Sequence, residues 1–303
     1  MKAWVLHGIN DLRFEDVPKP VPKPGEALVK VRCAGICSSD VRRIFSEGAY
    51  SYPIVLGHEF SGETEDGRRV SAFPLLPCFK CESCELRHYE TCSNYGYISS
   101  RRNGAFAEYV AVPEWNLVEI PSGMSFEAAA LLEPAAVALH AARRLDLHGV
   151  RNAAVIGNGI IGRLAARWFE IYGVANVELL GRDDRQGFAH YDACVDAVGS
   201  AEALARCIEA VHPGGQIVLA GNPDADFCLG QKLYWQILRK QIALRGSWNS
   251  RYPADWQRVI EHAGKLWLDG LISDRCSLGE LGKAADMVRN RKSGRYCKVV
   301  AAV

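Results

Sequence analysis

Two groups of metal-binding side chains and one glycine turn carry the chemistry visible in this chain. The first group is Cys78-x2-Cys81-x2-Cys84-x7-Cys92, within PCFKCESCELRHYETC. Four thiolates this close together can wrap one tetrahedral zinc ion at about 2.3 Å per sulfur, leaving no position open for a substrate. We therefore expect a structural site. The alternatives are two disulfides or four unrelated buried thiols, but Cys-x2-Cys steps suit a metal and no secretion signal favours oxidation. The second group lies upstream, Cys37 in GICSSD and His58 in VLGHEFSG. A thiolate and a neutral imidazole make half of an open catalytic zinc site, which needs three protein ligands and a free position. The third feature is Gly157-Asn158-Gly159-Ile160-Ile161-Gly162, a match to G-x-G-x-x-G.

The elements that must position these residues fall into two regions. Residues 1 to about 120 read as short strands with frequent turns: KAWVLH, the corner PKPVPKPG, EALVKVRCAGI and AEYVAV. The alternation in LVKVR suggests a half-buried strand. From Ser125 onward the apolar stretches are of helix length. NAAVIGNGIIGRLAARWFEIYG then reads as strand, glycine turn and helix, followed by the strand NVELLG. DACVDAVG reads as a strand and SAEALARCIEAV as a helix with Ser200 at its N-cap. QIVLAG and IALRGSW supply two more strands. DWQRVIEHAGKLWLDG reads as an amphipathic helix stopped by Gly270, in a stretch that returns to the first region. We see no internal repeat. The expected division is 1–134 with 249–303 as the catalytic domain, and 135–248 as the dinucleotide domain.

Composition narrows the function classes. The chain has 303 residues, 49% hydrophobic and 23% charged, with a net charge of +1. That balance suits a soluble protein with a sizeable core and offers no large single-sign field for nucleic acid or an anionic membrane. The most apolar stretch, AAALLEPAAVALHAA, is interrupted by Glu133, Pro134 and His140, so it makes no convincing membrane span. The start, MKAWVLHGINDLRFED, does not read as a signal peptide. Eleven cysteines without an export signal imply a reducing compartment, where thiolates stay available to metal. The expected location is the cytoplasm.

The glycine turn sits directly between an expected strand and an expected helix, the context in which it binds a dinucleotide. Gly157 permits the tight turn, Gly159 lets the backbone approach a pyrophosphate, and Gly162 lets helix and strand pack closely. The helix N-terminus, at Ile160 and Ile161, attracts the phosphate charge. About 20 residues on, an NAD site usually places Asp or Glu to hold the ribose 2′-hydroxyl. Here that position is Gly181, followed by Arg182, with Arg185 nearby. A guanidinium without a carboxylate suits a 2′-phosphate, which favours NADP. The alternatives are that Arg182 is a solvated loop residue, or that Asp183 or Asp184 restores an NAD site. Only about eleven residues separate LLG from DACVDAVG, where a full unit would insert helices and another strand. The sheet is therefore expected to be trimmed on its adenosine side, with weaker cofactor binding as a consequence.

GICSSD, GHEFSG, the four-cysteine lobe, LLEPAAVALHA and VIGNGIIG together resemble the zinc-dependent medium-chain alcohol dehydrogenases, in particular the polyol or sorbitol dehydrogenase branch, over nearly the whole length. The resemblance implies an α/β protein: a GroES-like β-rich catalytic domain plus a Rossmann-type doubly wound cofactor domain, here trimmed. It implies two zinc ions, one catalytic and one structural, and NADP(H), with NAD(H) as the alternative. By that resemblance Cys37 and His58 are catalytic zinc ligands and Glu133 is the glutamate that this branch uses in place of a second cysteine. Glu59 is a carboxylate that can exchange with water on the metal, Ser39 accepts the substrate proton, and Asp40 orients the zinc-bound histidine. RRIFSEGAYSYPIVLGHEFSG, FPLLPCFKCESC with SSRRNGAFAEY, and YWQILRKQIALRGSWNS are similar to the galactitol-1-phosphate dehydrogenase branch. That similarity implies a small polyol or polyol-phosphate substrate with Arg43 facing it, where a planar guanidinium could bond two phosphate oxygens. Arg101 and Arg102 are weaker candidates. The family resemblance also implies a homodimer or homotetramer, while the net charge near zero leaves no nucleic-acid or membrane partner expected. The short loop ETEDGRR between Gly62 and Val70 departs from the pattern. A rival reading, supported only by the trimmed cofactor half, is a zinc-stabilised protein that binds a ligand or partner without turnover.

Overall fold

The computed structural model describes residues 1–184, 190–290 and 297–303. The chain divides into two compact units: Met1–Glu133 with Arg251–Glu261 and Trp267–Val303, and Pro134–Ser250 with His262–Leu266. Arg185 lies outside the described residues.

The first unit is built mainly of antiparallel strands, as its short alternating runs imply. Its largest sheet runs in the order Leu117–Glu119, Arg69–Ala72, Glu59–Thr64, Glu26–Ile36, Lys298–Ala302 and Ile272–Ser277, and Tyr109–Pro113 also pairs with Glu26–Ile36. Glu26–Ile36 is the spine of the unit. It pairs Gly35 with Glu59 on one side and Ile36 with Val299 on the other, so residues far apart in sequence meet at its end. A smaller sheet joins Lys2–Gly8 to Asp11–Asp16 and Ile54–Val55. Val29, Val31, Ile36, Phe60, Val70, Phe106 and Val110 fill the core between these elements. Burying each such side chain contributes about 1.5–3 kcal/mol.

The second unit is a parallel sheet with helices. We label its elements β1 (Asn152–Ile156), α1 (Ile160–Ile171), β2 (Asn176–Leu180), β3 (Tyr191–Asp196), α2 (Ala201–Ala210), β4 (Val211–Leu219), α3 (Gln231–Lys240) and β5 (Ala243–Gly246). The sheet order is β2-β1-β3-β4-β5, all parallel. A complete doubly wound sheet has a further strand beyond β2. Here β2 is the edge among the described residues, the trimming that the short spacing before DACVDAVG implies. Fully apolar runs such as AAVI in β1 are what a strand buried on both faces requires. Ser200 caps α2, accepting the N–H of Ala203 at 3.1 Å.

One expectation from sequence fails. The helix Ala254–Leu266 does not run to Gly270 but ends at Trp267, which adopts the left-handed conformation with φ 50°. Gly270 instead makes room for a side chain, since a Cβ there would run into the Trp267 ring. The last turn of that helix belongs to the second unit, where the His262 ring lies 5.7 Å from that of Trp168. No helix among the described residues is long and apolar enough to cross a membrane.

Candidate functional site

Cys37 ends the spine strand and caps the short helix Ser38–Arg42 in extended conformation. Asp40, the third residue of that helix, closes a capping box by accepting the Cys37 N–H through Oδ2 at 3.2 Å. Its other oxygen, Oδ1, accepts from Ser99 Oγ at 3.0 Å and lies 3.4 Å from His58 Nδ1. Asp40 is fully buried, so these partners replace water entirely. Binding Nδ1 fixes the imidazole plane and leaves Nε2 for a metal, the usual arrangement of a metal-bound histidine. Gly57, with φ +94°, makes the turn before His58, where a Cβ would strike the Phe106 ring.

Cys37, His58 and Glu59 place one ligand atom each within 4.8 Å of one another. Ser39 Oγ lies 3.3 Å from the Cys37 sulfur. Glu133, at the start of the helix Leu132–Arg143, is buried, and its carboxylate stands outside that tight trio. Its Oε1 lies 3.5 Å from the Tyr97 hydroxyl, at the limit of a hydrogen bond, and the Tyr97 ring sits edge-on to His58 at 5.7 Å.

Sequence reasoning missed a member of this group. Lys298 is 3% exposed, and its ammonium contacts both oxygens of Glu59 at 2.7 and 2.5 Å. Glu59 is thus held by a cation rather than reaching freely toward the cysteine. Gly35 was missed as well: a Cβ there would meet Glu59 Oε2 at 2.5 Å, so its missing side chain makes the carboxylate's room. The signal for Gly35 was present in AGICSSD. The signal for Lys298 was only a charged residue at the start of an apolar strand, KVVAA.

The electrostatics fit a divalent cation. Asp40, Glu59 and Glu133 bring three buried carboxylates to Cys37, against one ammonium and one imidazole. Burial pushes Glu133 up to about 7, with Glu59 and Asp40 adding to the rise against His58 and Lys298. Burial opposes charge on His58, but Asp40 and Cys37 outweigh it and raise its pKa well above the ordinary value. A surplus of anionic donors around thiol and imidazole is the donor chemistry of a catalytic zinc site.

The four-cysteine lobe is a separate, closed cluster, with all four sulfurs within 4.8 Å of one another. Cys78 and Cys84 sulfurs are 3.9 Å apart and those of Cys81 and Cys92 3.8 Å. A tetrahedron with metal–sulfur bonds of about 2.3 Å has edges of about 3.8 Å, so the spacing suits zinc and is too long for disulfides. Hydrogen bonds from the backbone of Cys84 and Ser93 pull the Cys81 thiol down to about 6, while burial and the neighbouring sulfurs push Cys84 up to about 12. Trp115 packs against this lobe, its ring 5.0 Å from those of Phe79 and Tyr89.

The glycine turn is in place in the second unit. Gly157 has φ +118°, and a Cβ on Gly162 would run into the Gly157 carbonyl. A Cβ on Gly159 would meet nothing within 4 Å, so that face of the turn, at the N-terminus of α1, is open to a phosphate. At the end of β2 the Asp184 carboxylate folds back to accept the Gly181 N–H at 2.7 Å, and Arg206 of α2 donates to the carbonyls of Gly181 and Asp184. Arg182 is adjacent to them in the chain.

The arginine candidates separate. Arg102 is committed to Glu26 at 2.9 Å and to the Ala111 carbonyl. It is a structural residue here, because its strand-side position brings it to that carboxylate. Arg43 and Arg101 instead both lie over one phenol, Tyr50, with their Cζ atoms 5.0 and 4.5 Å from its ring centroid.

Comparison with known proteins agrees with this anatomy. Residues 23–122 match the family model "Alcohol dehydrogenase GroES-like domain" and residues 183–265 match "Zinc-binding dehydrogenase". The chain is 31% identical over 327 residues to galactitol 1-phosphate 5-dehydrogenase of Escherichia coli K12, covering 93% of this chain and 94% of that protein. It is 28% identical to L-threonine 3-dehydrogenase of Rhizobium etli, over 97% of each chain. The crystal structure of galactitol-1-phosphate dehydrogenase from Escherichia coli superposes with a TM-score of 0.90 at 29% identity, covering 100% of both chains. The chain therefore belongs to the zinc-binding, GroES-like alcohol dehydrogenases of the medium-chain family and is an oxidoreductase.

Proposed function

We propose that this protein transfers hydride between a secondary alcohol of a sugar alcohol, or of its phosphate, and a nicotinamide dinucleotide. The observation that carries this reading is the trio Cys37, His58 and Glu59 with Ser39 beside the Cys37 sulfur and the buried Glu133 carboxylate near the Tyr97 hydroxyl. Zinc held by Cys37 and His58, with Glu133 as the third ligand, would supply a Lewis acid that lowers the pKa of the alcohol. Ser39, whose hydroxyl stands beside the Cys37 sulfur, takes the alcohol proton and passes it outward. Asp40 holds the His58 ring in one orientation through Nδ1. Lys298 keeps Glu59 drawn back, which leaves a position open for substrate. The turn at Gly157–Gly162 would hold the pyrophosphate of a nicotinamide dinucleotide, and that cofactor would supply the hydride acceptor. The second zinc, at Cys78, Cys81, Cys84 and Cys92, is structural.

For the coenzyme we favour NADP, because Gly181 has no carboxylate of its own and Arg182 follows it. One observation favours NAD instead: Asp184 returns its carboxylate to the strand end that Gly181 leaves bare. We propose a homodimer or homotetramer on the family resemblance, and a cytoplasmic location because eleven free cysteines suit a reducing compartment. The test is turnover in Cys37→Ser and Glu133→Ala. Both should lose polyol oxidation while still changing the fluorescence of bound NAD(P)H as wild type does. Oxidation of polyols at the wild-type rate by either variant would show that the ligands are wrongly assigned.

A further inference from the structure

A chain of contacts leads outward from the metal cluster to two arginines. His58 packs against Tyr97, Tyr97 lies 6.4 Å from Tyr95, and Arg101 sits over Tyr95 at 5.0 Å. Arg101 also covers Tyr50 at 4.5 Å, and Arg43 covers the same ring at 5.0 Å. The two guanidinium groups thus share one ring. Both lie close in the chain to a group that bonds Asp40. The Arg43 N–H bonds the carbonyls of Ser39 and Asp40, and Arg101 follows two residues after Ser99, whose hydroxyl donates to Asp40.

Two cations held on one phenol repel each other, and an anionic ligand would relieve that repulsion. Among the described residues neither has a carboxylate partner: Arg43 donates to the Gly48 carbonyl at 3.3 Å, and Arg101 lies over the Tyr50 and Tyr95 rings. Arg102, the next residue, shows the contrast, since it is neutralised by Glu26. The Arg43 guanidinium, with a smaller contribution from Arg101, outweighs burial and holds the Tyr50 phenol below its ordinary pKa, so its hydroxyl is a good donor. Tyr50 is 64% exposed, which leaves this arrangement open to a ligand.

We propose that Arg43, Arg101 and Tyr50 form an anion subsite that binds the terminal phosphate of a polyol substrate whose alcohol lies at the Cys37–His58 centre. This rests on the reading of the protein as a polyol dehydrogenase and fixes its substrate as phosphorylated. Two planar forks and a phenol match a dianion with three peripheral oxygens better than a carboxylate, which has one negative charge and two oxygens to share among them. An amino-acid substrate would also bring an ammonium group, and the Arg43–Arg101–Tyr50 cluster offers it no carboxylate.

The experiment is calorimetric titration of metal-loaded protein with galactitol 1-phosphate, galactitol and L-threonine, in wild type, Arg101→Gln and Arg43→Gln/Arg101→Gln, with oxidation of each followed in parallel. Arg101 is exposed, so its substitution leaves the fold intact. Wild type should prefer the phosphate over galactitol, and that ratio should fall about ten- to a hundredfold in Arg101→Gln, the loss expected for one charge-assisted contact, and further in the double variant. A wild type that binds galactitol as tightly as its phosphate, or a ratio unmoved by the double variant, would overturn the subsite. An equal loss for L-threonine would assign the pair to a carboxylate and overturn the phosphate. Polyol oxidation with an unmoved ratio defeats the subsite alone. A ratio that falls in a protein that oxidises no polyol defeats the reaction and leaves the subsite standing.

Discussion

Lys298→Met isolates the contact that sequence reasoning did not find. The ammonium and the Glu59 carboxylate are 2.5–2.7 Å apart, with side-chain exposures of 2% and 1%, so water cannot take over when one is removed. At an effective dielectric of about 20, two charges at that separation attract by about 6 kcal/mol, an upper figure that desolvation offsets. Removing one member of such a pair leaves an uncompensated buried charge, and that typically costs about 3–5 kcal/mol. The cost should be at the upper end here, because Asp40, Glu133 and Cys37 surround the orphaned carboxylate. Glu59→Gln/Lys298→Met removes both charges and should recover most of the loss, with a coupling of at least about 2 kcal/mol. The assay is urea denaturation of metal-free protein followed by tryptophan fluorescence. A Lys298→Met variant within about 1 kcal/mol of wild type, or a double variant no better than the single one, would refute the reasoning.

Three further outcomes follow from separate parts of the molecule. Cys81→Ser should lower the zinc content by about one ion per chain, read by elemental analysis, and lower thermal stability, because three thiolates cannot close the tetrahedron. Arg182→Ala should weaken NADPH by about tenfold or more relative to NADH if the guanidinium holds the 2′-phosphate, and Asp184→Asn should weaken NADH if the folded-back carboxylate holds the ribose. The ratio of kcat/KM for the two coenzymes in both variants decides between them. His212 Nε2 is 2.6 Å from Asp192 Oδ1, and this contact raises the His212 pKa and helps lower that of Asp192. The histidine's contribution is fully present below about pH 6.5 and fades as pH rises through its raised folded value. The aspartate's is present above about pH 4 and fades as pH falls below that. His212→Gln should therefore lower Tm more at about pH 5.5 than at about pH 8.5, and an equal drop at both would dismiss the ion pair.

How far the sequence could be read depended on how locally each contact is made. The four-cysteine lobe runs only from Cys78 to Cys92, so its ligand set is visible as a spacing. The strand–turn–helix at Gly157 is equally local, and the short interval after Gly181 announced that β2 is the sheet edge among the described residues. Glu59–Lys298 joins residues 239 positions apart, and only the pairing of Lys298–Ala302 with the spine strand brings them together. Arg101 and Arg102 are identical in type and adjacent, so nothing in the sequence ranks them. The backbone sends one to Tyr50 and the other to Glu26. Gly270 looked like a helix stop because glycine usually is one, yet Trp267 takes the left-handed position and Gly270 makes space for its ring. Asp184 could not be placed at Gly181 by counting, since a turn of unknown shape lay between them.

A metal at Cys37 and His58 is the central claim, and one measurement bears on it directly. Protein stripped of metal by a chelator, checked by elemental analysis and by circular dichroism, is assayed for nicotinamide reduction with galactitol 1-phosphate and then again after zinc is restored. The stripped protein should be inactive and should recover with about two zinc ions per chain, while Cys37→Ser should not recover. Full activity in folded, metal-free protein would contradict the claim.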